Sequence, residues 1–322
     1  MESKSSQAPP LPVDLFECFE QNLPSLTRKD VKYESAGSSG TYTNTANPPE
    51  ILTWKPVAYY TGKATSFFED QNNVHVIEHL RQLRITTTFT NMTLDNEQSV
   101  VNASILYLVG PIMEVLKLKY GDDWTVHSEY SVAVNQALQG TGANVGAPTG
   151  AKQTKKTKPT TVRYDLVFRT KNDKTIAILE YKKRESIRFK DYERVWLKEN
   201  ATQADKADVI GSTEDDSSLL EFNGSSHMKQ LTAYAETENC KHTALFNWNH
   251  LLFVYFHELE KDANTGKRSV GQEAYATWIT EANDSSCRAK STGKRSDFVE
   301  DCRMRIGLFG WLLTAFQDAF GY

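Results

Sequence analysis

Three side chains in one short stretch carry the most chemistry in this sequence: Asp165, Glu180 and Lys182. Asp165 lies in TVRYDLVFRT, and Glu180 and Lys182 lie in KTIAILEYKK. Both runs are rich in β-branched and aromatic residues, and only Lys171, Asn172 and Asp173 separate them, which predicts two strands over 161–170 and 174–183 joined as a hairpin. A strand sends successive side chains to opposite faces. Val162, Tyr164, Leu166 and Phe168 are therefore expected on one face, with Asp165 and Val167 on the other, while Ile176, Ile178, Glu180 and Lys182 share a face of the second strand. Two carboxylates then meet at the end of an apolar strand, where they repel each other and a divalent cation would remove that cost. Oxygen donors of this kind suit a hard ion such as Mg²⁺ (or Mn²⁺) that keeps some of its waters. A lysine two residues beyond the second carboxylate can position an attacking water or stabilise charge that develops on a phosphate.

The pattern of Asp165, fourteen intervening residues and then Glu180-Tyr181-Lys182 resembles the PD-(D/E)xK nuclease superfamily. Tyr164 stands where that family has its proline, a residue without chemistry of its own. Downstream, Gln230-Leu231-Thr232-Ala233-Tyr234 is similar to the QxxxY motif that the RecB-like branch places on the helix after the ExK strand, and the spacing sets Gln230 and Tyr234 on one helical face. Such folds often carry a glutamate on the helix before the first core strand. Glu97 and Glu114 are the candidates, and Glu97 is preferred because it lies at the edge of the apolar stripe, with Glu114 turned about 100° away. The resemblance covers about residues 95–257. It implies an α/β, restriction-endonuclease-like fold with a mixed central sheet flanked by helices. It also implies Mg²⁺ held by Asp165, Glu180, the Tyr181 carbonyl and Glu97, and site roles for Lys182, Gln230 and Tyr234. The substrate implied is nucleic acid, with DNA favoured. The resemblance extends to orphan nuclease-like domains of eukaryotic microbes, including those of Crinkler-type effectors, which implies a nuclear or toxin-like role.

The elements that must position these residues follow from hydrophobic period. A helix is expected from Asp95 or Asn96 to about Tyr120, with Val101, Ile105, Leu108, Ile112 and Val115 as its buried stripe and a kink at Pro111. A shorter helix is expected over 66–84, a strand over 124–134 and a Gly/Thr/Lys-rich loop over 140–159. Residues 185–225 read as an insertion, part helix and part surface. A helix over 226–238 leads to strands over 243–246 and 251–256, and helices are expected over 270–282 and 296–318. The expected organisation is a tail and irregular arm over 1–63, a nuclease-like core over 64–260 and a helical extension over 261–322.

Composition limits the partners. With 37 Lys+Arg against 41 Asp+Glu, the net charge of -4 excludes a protein that binds nucleic acid by bulk charge. Locally the picture differs: residues 150–198 hold fifteen basic and six acidic side chains, and 199–239 hold nine acidic and two basic ones. A basic stretch beside paired acids suits docking of a phosphodiester backbone, with Lys183, Arg184, Arg188, Lys155, Lys156 and Lys158 as the expected phosphate contacts. Lys155, Lys156 and Lys158 also fit a short nuclear-localisation pattern. The first residues lack the apolar core of a secretory signal, and the Ile306–Phe316 run is too short for a bilayer, so an intracellular protein without a membrane partner is expected. Four cysteines without a CxxC pair predict neither zinc nor a disulfide framework.

Other readings use other residues. His75-Val76-Ile77-Glu78-His79 matches the HxxEH pattern of a zinc peptidase, but two surface histidines on a structural helix account for it better, and no third ligand is assignable. A catalytically silent nuclease fold that binds nucleic acid or protein, and a plain protein-binding scaffold, are the remaining alternatives.

Overall fold

In the computed structural model the described residues are 13–28, 45–85, 92–134, 160–212, 219–281 and 298–321. Nine strands among them form one mixed sheet: β1 (Ile51–Trp54), β2 (Trp124–Val134), β3 (Thr160–Thr170), β4 (Thr175–Tyr181), β5 (Trp196–Leu197), β6 (His242–Phe246), β7 (His250–Tyr255), β8 (Glu273–Glu281) and β9 (Val299–Cys302). Their spatial order is β2-β3-β4-β6-β7-β8-β1-β5, and β9 lies beside β8. The run β2-β3-β4 is an antiparallel meander, and β6 joins β4 in parallel. The expected hairpin and the strands on either side of it are thus present.

Helices cover both faces. On one side lie α1 (Ala58–Glu69), the long helix made of α3 (Glu97–Ser104), a π-helical turn (Ile105–Val109) and α4 (Gly110–Tyr120), and the C-terminal α7 (Met304–Phe320). α2 (Val74–Gln82) buries Val76 and Leu80 in the same layer. On the other side α6 (Phe222–Glu238) packs with Ile187, Tyr192, Val195, Trp196, Leu219 and Leu220. Much of the expected surface insertion at 185–225 is therefore core, although α5 (Gln203–Gly211) within it buries nothing.

The long helix departs from its expected stripe, and Gly110-Pro111 explains why. Pro111 has no N–H to give the carbonyl of Tyr107 four residues earlier. The helix widens into the π turn ahead of it, and Gly110 fits closely there, because a Cβ would stand 2.6 Å from the Ile105 carbonyl oxygen. The buried Arg305 of α7 supplies the missing donor: its Nε reaches the Tyr107 oxygen at 2.5 Å, and its guanidinium also holds the carbonyls of Cys18 and Gln21. The extra residue in the turn leaves Ile105 exposed and Val101 half-buried, while Leu108, Ile112 and Val115 are buried as expected. By length and composition the Glu97–Tyr120 helix could cross a membrane, but 56% of its apolar window is buried inside the protein.

The helix expected over 270–282 is absent among the described residues of that range, 270–281. Tyr275, Thr277, Trp278, Ile279 and Thr280 are strand-favouring, and β8 is an interior strand that pairs with β7 on one edge and with β1 and β9 on the other. The expected arm and the expected helical extension thus both contribute strands to the central sheet. The expected helix over 296–318 begins only at Met304. Cys18, Cys240 and Cys302 are free thiols.

Candidate functional site

The first-named carboxylate arises where the strand pattern breaks. On β3, Leu166 and Phe168 face the α1/α4/α7 layer, whereas Val162, Tyr164 and Val167 face the α6 layer. The expected single face of Val162, Tyr164, Leu166 and Phe168 is therefore incorrect. β2 changes faces at the same point, with Val126 on one side and Tyr130 and Val132 on the other. Between them the ladder omits one pair, Glu129 with Asp165, and Glu129 takes a φ of 52°. This irregularity frees the Asp165 side chain to turn along the sheet, where its Oδ2 accepts the Tyr181 backbone N–H at 2.7 Å. A second irregularity, at Phe168/Arg169, puts Ile176 in the opposite layer from Ile178, so Ile176 does not share the face of Glu180 as expected.

Glu180 and Lys182 close the far end of β4. Lys182 Nζ donates to Glu180 Oε1 at 2.5 Å, and both side chains are largely buried. From α6, Gln230 Nε2 donates to the same oxygen at 2.7 Å and to the Tyr234 hydroxyl at 2.5 Å. The Tyr234 hydroxyl lies 2.8 Å from the Arg163 carbonyl and 3.1 Å from Glu180 Oε2, and its single proton can serve one of these acceptors at a time. Gln230 and Tyr234 do share a helical face, and that face fixes Glu180. Tyr181 points into the other layer, where Ser104 donates to its hydroxyl at 3.0 Å.

Glu97 joins from the first turn of α3, which Asn96 and Ser99 cap reciprocally. Its side chain is exposed on one side, yet desolvation raises its pKa; Lys182 opposes the rise and Glu180 adds to it, and the Lys183 backbone N–H bonds to the carboxylate. Glu114 lies on the solvent side of α4. Of the two glutamates, the structure thus brings Glu97 to the hairpin.

The electrostatics are those of crowded acids. Burial, followed by the charge of Glu180, lifts Asp165 from 3.8 to about 7, against the pull of Lys182 and the Tyr181 N–H. Burial alone would lower the pKa of Lys182, but Glu180, Glu97 and Asp165 together outweigh it and raise the value, so the ammonium stays charged at neutral pH. A resident cation is consistent with this donor set: carboxylate oxygens at a partly buried strand end, one of them too crowded to ionise at its ordinary pH. Among the described residues no three His, Cys, Asp or Glu side chains are gathered tightly enough to hold a metal ion by themselves. An ion here would need a backbone oxygen or waters besides Asp165 and Glu180.

The expected phosphate contacts are only partly placed for that role. Lys183 is half-exposed beside Glu97. Arg184 is buried and paired with Glu185, whereas Arg188 pairs with the fully buried Asp191 at 2.6 Å and keeps about a third of its side chain exposed. Lys155, Lys156 and Lys158 lie outside the described residues. His75, Glu78 and His79 are exposed on α2 and have no third ligand gathered beside them among the described residues.

One residue escaped the sequence reading. His227 lies on α6 one turn before Gln230 and is buried, with Nδ1 2.9 Å from the Tyr192 hydroxyl and Nε2 without a hydrogen-bond partner among the described residues. Burial, and then the charge of Lys182, push it down to about 3, so it is neutral. Its three-residue offset from Gln230 was the available signal. No protein-family model, curated protein or solved structure matches the chain.

Proposed function

We propose that the protein is a metal-dependent nuclease of PD-(D/E)xK type that hydrolyses phosphodiester bonds, with DNA the favoured substrate. The observation that carries this reading is the convergence of Asp165, Glu180 and Lys182 with Gln230, Tyr234 and Glu97 at one strand end. In support, the order of helix, strand, hairpin, helix and parallel strand agrees with a restriction-endonuclease-like core.

Asp165, Glu180 and the Tyr181 carbonyl would hold Mg²⁺ or Mn²⁺, with Glu97 acting through a water or a second ion. Such an ion supplies Lewis acidity, which makes water a nucleophile at neutral pH and offsets charge on the phosphoryl group. The protein's own groups do the remaining work. Gln230 donates to Glu180 Oε1 and the Tyr234 hydroxyl packs against Oε2, so the carboxylate is restrained from both oxygens. Lys182 keeps its proton at neutral pH and acts as a fixed cation that orients the attacking water and stabilises the pentavalent phosphate. It does not act as the general base. Asp165 must lose its proton before it can bind a cation, so activity is expected to rise through the pH region near its pKa of about 7.

The test is cleavage of labelled DNA and RNA with Mg²⁺ or EDTA by wild type and by the triple variant Asp165→Ala/Glu180→Ala/Lys182→Ala. Cutting by wild type with Mg²⁺ alone, lost in a variant that still binds the substrate in a salt-sensitive way, supports the reading. Equal cutting by both proteins rejects the assigned site. Salt-sensitive binding by a wild type that never cuts favours the silent nuclease fold instead.

A further inference from the structure

A groove on the helical side of the sheet has a chemistry separate from the hairpin. It lies between α1, the end of α4 and α7, encloses about 500 Å³, and is lined by Gly62, Lys63, Asp70, Asn73, Lys119 and Gln317 among others. Along the axis of the long helix, Lys119 stands about 33 Å from Glu97. The groove is thus remote from the carboxylates.

Its two lysines differ from several of the cations around the sheet. Arg169, Lys182, Arg188 and Lys206 each sit on a carboxylate. Lys63 and Lys119 instead meet neutral amide oxygens, Gln317 Oε1 at 3.4 Å and Asn73 Oδ1 at 3.3 Å. Asn73 is 2% exposed, and its Nδ2 is spent on the Phe67 carbonyl at 2.9 Å, which turns Oδ1 toward the groove as a fixed anchor for Lys119. The lysine lies 5.8 Å from the centre of the Phe67 ring. Each ammonium has three donors and uses one on its amide partner, so two remain for a ligand. The carboxylate in the lining, Asp70, accepts the backbone N–H and the side-chain amide of Asn72.

We propose that this groove binds a phosphate group, held between the ammonium groups of Lys63 and Lys119. Two cations that meet neutral amides along an open groove, Lys63 half-buried and Lys119 exposed, attract an oxyanion, and a phosphate accepts from both without displacing an existing ion pair. The phosphate comes either from a small soluble ligand or from a nucleic-acid backbone, and the groove's chemistry is the same for both. The inference does not depend on the nuclease reading.

The test is calorimetric titration of the full chain in EDTA with inorganic phosphate, adenosine monophosphate and a short single-stranded oligonucleotide. Two kinds of variant isolate the groove. Lys63→Gln and Lys119→Gln remove charge but keep a polar side chain, and each is expected to weaken binding about tenfold. Gly62→Glu brings a carboxylate to the lining, where a Cβ at residue 62 meets nothing within 4 Å, and it replaces a helix-interior glycine, so it is expected to fold normally and to abolish binding. Phosphate and nucleotide binding that these variants lose assigns a soluble ligand, and oligonucleotide binding alone that they lose assigns a backbone. The proposal is overturned if wild type binds none of the three saturably, or if Gly62→Glu and the lysine variants bind as wild type does.

Discussion

Replacing Asp165 with asparagine should make the protein more stable and inactive together. The carboxylate is half-buried against Glu180, which is why it holds its proton to about pH 7 when an ordinary aspartate loses it near 3.8. The asparagine would keep an acceptor for the Tyr181 N–H and remove the charge. A gap of about 3 in pKa corresponds to about 4 kcal/mol if nothing damps it. Solvent on the open side of the site reduces the expected gain to about 1–2 kcal/mol. For a chain of this size that is a rise in Tm of about 2–6 °C. The size of the gain varies with pH. Between about 4 and about 7 the folded protein holds a proton that the unfolded chain has released, so wild type loses stability as pH rises through that window. The advantage of Asp165→Asn is therefore expected to be near zero at the acid end, to grow across the window and to level off above about pH 7. Thermal melts in EDTA at several pH values measure it, and added Mg²⁺ should raise the Tm of wild type and leave the variant unmoved. A variant that melts at or below wild type in EDTA above about pH 7 would refute the reasoning, because Asp165 would then be a stabilising partner and not a strained one.

Lys182→Gln is expected to slow cleavage by about 10²–10³ while substrate binding persists, as measured by single-turnover rates and filter binding. Glu97→Gln should lower the cleavage rate, whereas Glu114→Gln, on the solvent side of α4, should leave it unchanged. Arg305→Met strands the carbonyls of Tyr107, Cys18 and Gln21 and should cost about 3 kcal/mol or more in urea unfolding. Gly310→Ala should also fail to reach wild-type stability, because a Cβ there would collide with the Tyr60 carbonyl where α7 crosses α1.

The residues legible in the sequence were those whose relation is local. Gln230 and Tyr234 are one turn apart on a helix, and Glu180 and Lys182 are one pleat apart on a strand, so counting alone placed each pair on one face. Asp165 was assigned through a two-residue period that the chain does not keep. The face change at Glu129/Asp165 involves two strands paired across the sheet, and no window on one of them reveals it. Charge misled for a different reason. Arg184 and Arg188 register as positive in any count, but each is paired with a carboxylate, Glu185 and Asp191, and Arg184 is buried as well. The strand β8 was missed because its amphipathic spacing also fits a helix, and only its neighbours β1, β7 and β9 decide the matter. The π turn depended on Arg305, almost two hundred residues downstream of Tyr107.

The central claim is that Asp165 and Glu180 together hold a divalent cation. Titration of the apoprotein with Mn²⁺, followed by the loss of the free-ion electron paramagnetic resonance signal, tests it without any assumption about substrate. Wild type should take up one or two ions saturably and release protons as it does so, and Asp165→Asn/Glu180→Gln should take up none. Saturable uptake that the double variant retains, or no saturable uptake by wild type, would contradict the account.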